Sequence, residues 1–137
     1  MSERQPGEVE AGQAEVQPSP STMAEAAEDD GRRCACTLFA VLNPDGSRAR
    51  GFGAVSSQRF AVGQYEVVFN RDVTGCAYIA TIGLSGSSGS SPSGEITVVG
   101  RAGNANGVFL TTHDSAGNFA DRGFHLAVHC QPSRDDD

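Results

Sequence analysis

The stretch YEVVFNRDVTGCAYIATIG, Tyr65 to Gly83, decides the fold. In its first half Tyr65, Val67 and Phe69 share one face while Glu66, Val68 and Asn70 share the other, because successive side chains of a strand point to opposite faces. The segment NRDVTG that follows supplies Asn, Asp and Gly, which accept left-handed backbone or bond their own main chain, and so predicts a turn. Beyond it Ala77, Ile79 and Thr81 alternate with Tyr78, Ala80 and Ile82. That run is apolar on both sides, which predicts a central strand. The two runs read as a hairpin, and a hairpin is marginal alone, so the rest of the chain must supply partners.

Those partners are legible on both sides of the stretch. A first strand is predicted over Cys36 to Leu42, closed by Asn43-Pro44-Asp45-Gly46 as a tight turn. A second covers about Arg48 to Ser56, where Gly51 and Gly53 predict a bulge or bend, and Phe60 to Gly63 leads into the hairpin. After Gly83 comes LSGSSGSSPSG, a Gly/Ser-rich loop with no apolar anchor past Leu84, expected to be exposed and mobile. Glu95 to Arg101 and Val108 to His113 form further strands around the turn Gly103 to Gly107. A polar connection from Asp114 to Gly123 leads to the last strand, Phe124 to Cys130, which places Phe124, Leu126, Val128 and Cys130 on one face. No apolar stripe at helical spacing survives between the glycines. The expectation is an all-β fold, a small antiparallel β-sandwich of jelly-roll-like or immunoglobulin-like form with about seven strands.

The chain has 137 residues, room for one domain, and it divides by composition. Residues 1–33 are rich in Glu, Gln, Pro, Ser and Ala and cannot bury enough apolar surface to offset the entropy of ordering, which predicts a disordered acidic arm. Met23 is an alternative start within it. Residues 34–130 form the β-domain, and 131–137 a polar tail. A net charge of -7 disfavours attraction to nucleic acid or to anionic membrane surfaces. No apolar run of about 18 residues is present to span a membrane, and no basic segment followed by an apolar core marks a secretion signal. The expectation is a cytoplasmic or particle-associated protein, with non-classical export as the alternative.

Chemistry could reside first in the four cysteines. Cys76 begins one strand and Cys130 ends another, so antiparallel neighbours would bring both to one end of the sandwich, either as a disulfide or as two small buried apolar side chains. Cys34 and Cys36 form a CxC before the first strand. With His113, His125 or His129 it is a poor metal set, because structural zinc draws paired ligands at C-x2-4-C, and His125 and His129 lie roughly 13 Å apart on one strand. A threefold assembly would be needed to gather three copies of one histidine on an axis. The serines lack a G-x-S-x-G elbow, Gly100 to Gly103 lacks the strand-to-helix context of a phosphate loop, and Asp114 and Asp121 lack a calcium-loop pattern. The sequence therefore names no catalytic residue, no metal ligand and no cofactor. Asp121 and Arg122 read as a structural pair of the loop before the last strand, Asn104 and Asn106 as turn formers, and Tyr78 as a hydroxyl bonded to backbone within the sheet.

Four elements carry a resemblance: Y-x-V-x-F at Tyr65, Val67 and Phe69; DVTGCAY from Asp72 to Tyr78; N-x-N-G-V from Asn104 to Val108; and the run from Asp121 to Cys130. Over roughly Leu38 to Cys130 the chain resembles a small β-domain found at the C-termini of many uncharacterised actinobacterial and other bacterial proteins. The resemblance implies a module and assigns it no activity. Gly123 stands where that pattern leads one to expect a bulkier residue, often Pro.

The functional expectation is a non-catalytic structural or binding module that self-associates, with a trimer favoured, in a fibre, particle or surface assembly. A glycan-binding sandwich is the alternative, weakened by the absence of Trp and by only two Tyr. A small metal-dependent hydrolase ranks below both. The partners expected are further copies of the chain, another protein or a glycan.

Overall fold

The computed structural model describes residues 36–132. The acidic arm, Cys34, Met23 and all but the first two residues of the polar tail lie outside the described residues. The fold within them is all-β, with eight strands: β1 (Cys36–Leu42), β2 (Arg48–Phe52), β3 (Ala54–Ala61), β4 (Gln64–Phe69), β5 (Ala77–Ile82), β6 (Glu95–Gly100), β7 (Gly107–His113) and β8 (Phe124–Cys130). They make two four-stranded antiparallel sheets, ordered β2-β1-β8-β5 and β3-β4-β7-β6. The chain changes sheet four times, and β8 returns to lie beside β1.

The core lies between the sheets and follows from period-two alternation. Leu38, Ala40 and Leu42 of β1 and Phe124, Leu126, Val128 and Cys130 of β8 face Tyr65, Val67 and Phe69 of β4 and Val108 and Leu110 of β7. Tyr65 and Phe124 meet across the sheets edge to face, with ring centroids 5.2 Å apart. Such pairs prefer this geometry because the positive ring edge meets the negative face.

One predicted strand is in fact two. The run Arg48 to Ser56 breaks at Gly53, whose φ of 82° is open to glycine and strained for other residues. A Cβ there would also strike the Leu38 side chain at 2.5 Å. The chain therefore leaves the first sheet at Phe52 and enters the second at Ala54, which gives eight strands rather than seven. The β3–β4 turn tightens at Gly63, with φ 68°.

The predicted hairpin of Tyr65 to Gly83 is corrected as well. β4 pairs with β3 and β7, whereas β5 pairs with β8 and stands at the edge of the other sheet. The turn between them is real but spans the sandwich. Asp72 Oδ1 accepts from the backbone N and the hydroxyl of Thr74. Val73 plugs fully into the core, and its N–H donates to the Ala105 carbonyl. Burying Val73 leads the chain across the gap between the sheets instead of folding it back beside β4.

The Gly/Ser-rich loop is exposed along its middle, but both its ends are tied down. Arg50 donates to the Ser85 carbonyl at 2.7 Å and His125 Nε2 to the Leu84 carbonyl at 2.8 Å, while Arg122 Nε reaches the Ser93 carbonyl at 3.0 Å.

Candidate functional site

The outer face of the first sheet carries the candidate site. Phe39 is in register with Phe52 on β2 and with Ala127 on β8, and Ala127 with Ile79 on β5. One apolar row thus crosses all four strands. It points outward because the neighbouring positions Ala40 and Leu126 point into the core. Phe52 is 62% exposed, Ile79 59% and Phe39 37%.

The next row is Arg50, Val41, His125 and Thr81. Here Arg50 and His125 reach the carbonyls of Ser85 and Leu84, closing over Val41, which is buried although it faces outward. Between the two rows lies a hollow of about 360 Å³ bounded by Phe39, Val41, Arg50, Ile79 and His125. Its size falls at the small end of ligand pockets. At the far end of the face His129 Nδ1 lies 3.2 Å from the Thr37 hydroxyl.

The outer face of the second sheet differs. Phe60 and Phe109 lie there with centroids 6.4 Å apart, but the Arg101 guanidinium covers both rings, at 4.7 and 5.5 Å. Arg101 Nε also donates to Glu66 at 3.0 Å. A cation over these rings, neutralised by a carboxylate, makes their immediate surface polar, while Val99, in register with Phe109, stays exposed beside them.

The residues singled out in the sequence separate. Cys76 and Cys130 are bonded as a disulfide, and Cys36 is a free thiol. His125 and His129 share the outer face of β8, whereas His113 lies on the other sheet, stacked on Phe119 with centroids 4.7 Å apart. Among the described residues no three His, Cys, Asp or Glu side chains gather as a metal-binding group. Asn104 Oδ1 accepts from the Asn106 N–H and Asn106 Nδ2 donates to the Phe69 carbonyl, so these residues bond the turn while Gly103 takes the left-handed position. The Tyr78 hydroxyl donates to the Val73 carbonyl at 2.8 Å. Gly123 sits where a Cβ would lie 3.0 Å from the Gly83 carbonyl and 3.1 Å from that of Leu42, so the corner favours a residue without one.

Asp121 and Arg122 do not pair with each other through their side chains. Asp121 instead takes Arg59 Nε at 2.9 Å, the Gly63 N–H at 2.8 Å and the Tyr65 hydroxyl at 3.3 Å. The single Tyr65 hydroxyl proton is shared between Asp121 and the Pro44 carbonyl, which is the nearer at 2.7 Å. This cluster ties three loops to the buried Tyr65. Arg59 was missed in the sequence because it lies 62 positions away.

The Arg59 hydrogen bond, then that of Gly63, holds the Asp121 carboxyl below its ordinary value of 3.8, while burial pushes the Tyr65 phenol up. Asp45, Asp72 and Asp114 are likewise lowered, by Ser47, by Thr74 and by the Asn118 amide. Each shift belongs to a turn or a cluster that fixes a loop. A carboxyl lowered in the folded state stabilises it above the unfolded value, and that contribution is lost as pH falls through the folded value. The domain is therefore expected to weaken below about pH 4. Asp121→Asn should cost about 1–2 kcal/mol at neutral pH and narrow the stability gap between neutral pH and about pH 2.5, measured by urea unfolding. An unchanged gap would assign the acid sensitivity to the other carboxylates.

Comparison of the chain with protein-family models, with curated proteins and with solved structures found no match.

Proposed function

We propose that the domain is a non-catalytic module that self-associates through the outer face of the sheet β2-β1-β8-β5. The observation that carries this reading is the unbroken apolar row Phe52, Phe39, Ala127 and Ile79, open on one face while the aromatics of the opposite face lie under Arg101. Contiguous exposed apolar surface marks association sites, since covering it removes it from water. Charge favours the same reading. Residues 36–132 contain six Arg against four Asp and two Glu, so the folded part carries no net charge to repel a copy. The net charge of -7 resides in the flanking segments.

The face also has a direction. Phe52 projects at the β2 edge, and the hollow lies toward β5. A projection and a hollow displaced on one surface suit head-to-tail contact, which forms a ring when its rotation closes. Three copies are the smallest such ring, so a trimer is the favoured assembly. Sugar binding has less support, because Tyr65 is buried and Tyr78 packs against the core, leaving no tyrosine platform outside.

Light scattering on the oxidised full chain, with its free thiols alkylated so that no new disulfide can link copies, tests the proposal. The expected mass is three times 14.2 kDa, falling to one chain in Phe52→Glu and in Ile79→Asp while the thermal midpoint of unfolding of the isolated fold is retained. A single-chain mass for the unmodified protein at every concentration would overturn it.

A further inference from the structure

Three cysteines stand in one row across three adjacent strands. Cys36 on β1 is in register with Cys130 on β8. On the other side Ala77 is in register with His129, which sets Cys76 opposite Cys130, where the disulfide forms. The Cα–Cα distance of that bridge is 4.4 Å, that of an antiparallel pair whose backbones do not bond each other, about 4.5 Å. In a central strand such a residue turns its N–H and C=O to the opposite neighbour. Cys130 and Cys36 therefore form the hydrogen-bonded kind of pair, with Cα atoms about 5.5 Å apart. Disulfides span Cα separations of about 4.4–6.8 Å, so Cys130 has a cysteine within that Cα range on each side. Registered residues share a face, and all three cysteines pack on the core. Cys130 is buried, whereas Cys36 is partly exposed and free.

We propose that Cys36 is an exchange thiol for the Cys76–Cys130 bridge, so that the domain holds one disulfide in two interchangeable positions. The Cys36 thiolate attacks Sγ of Cys130, the Cys130–Cys76 bond breaks, a Cys36–Cys130 bond forms and Cys76 leaves as a thiolate. Cys76 takes up the proton that Cys36 released, so one disulfide and one thiol stand on each side of the reaction. No oxidant or reductant is consumed. Displacement at sulfur runs in line, and the row places nucleophile, central sulfur and leaving group on successive strands in that order. The closed loops are similar in entropic weight, 54 residues for the present bridge and 94, from 36 to 130, for the other, because closure entropy grows only slowly with length. The exchange moves the staple from the edge strand β5 to β1 and presents Cys76 as the reactive thiol beside it. It does not depend on the mode of self-association.

The test uses the full chain carrying Cys34→Ser, oxidised and then held without redox reagents near the ordinary thiol pKa of about 8.5. Samples are quenched in acid over time, unfolded, alkylated with a maleimide and mapped by mass spectrometry. Label is expected on Cys36 at first and then on both Cys36 and Cys76, at a rate unchanged on dilution. In Cys76→Ser, oxidised glutathione is expected to close a Cys36–Cys130 bridge. Label confined to Cys36 at all times overturns the proposal, as does label on Cys76 whose rate falls on dilution, since that exchange is between chains. Failure of the Cys76→Ser chain to form the second bridge, with its β-sheet circular dichroism intact, overturns it too.

Discussion

Phe124→Ala should lower the stability of the domain by about 3–5 kcal/mol, the cost of emptying a large aromatic site from a packed core. Phe124 is fully buried at the start of β8, in register with Leu42 on β1 and Ile82 on β5, and its ring meets Tyr65 of the opposite sheet. One side chain thus touches three strands and closes the gap between the sheets. The lost ring leaves a void whose walls belong to different strands and cannot collapse together. Urea unfolding of the oxidised protein measures the loss. Val99→Thr, at an exposed position on the outside of β6, should stay within about 0.5 kcal/mol. A Phe124→Ala loss below about 1.5 kcal/mol would mean that the site repacks, contrary to the close packing described here.

Reduction of the Cys76–Cys130 bridge should cost about 4 kcal/mol on the chain-entropy account, because its 54-residue separation restrains much of the unfolded chain. For a domain of this size that corresponds to a fall of roughly 15–30 °C in the unfolding midpoint. Cys130→Ser should match or exceed the loss, since it also puts a hydroxyl into a buried position. A small domain of two thin sheets depends on such a staple more than a large one does, because it buries a smaller fraction of its surface. Unfolding with and without reductant measures the effect directly. A difference under about 1 kcal/mol would show that strand pairing between β5 and β8 suffices without the bridge.

The acidic limb of stability and the apolar outer face make independent demands on the same sequence. Asp121, Arg59 and Tyr65 fix loops at one end of the sandwich, and a change in them is read in folding. Phe52, Phe39 and Ile79 contribute little to the core, and under the proposed self-association a change in them is read in mass.

What the sequence by itself determined was the all-β class, the place of most strands, and the inward face of those whose alternation is clean, β4 and β8. Alternation at Tyr65, Val67 and Phe69, and again at Phe124, Leu126 and Val128, is a local property, and the side chains it turned inward are the buried ones. The break at Gly53 was half legible, as a bend that glycine allows; that the bend carries the chain to another sheet was not. Which strands pair is a nonlocal matter, settled by the total area buried. Tertiary structure therefore separated β4 from β5 by sinking Val73 into the core, although the turn chemistry of Asn70 to Gly75 suited a hairpin. It likewise gave Asp121 to Arg59 instead of its neighbour Arg122, and set Phe52, Phe39, Ala127 and Ile79 in one row from three distant parts of the chain. Composition showed how many apolar residues there are, but only register decided that four of them lie side by side facing water.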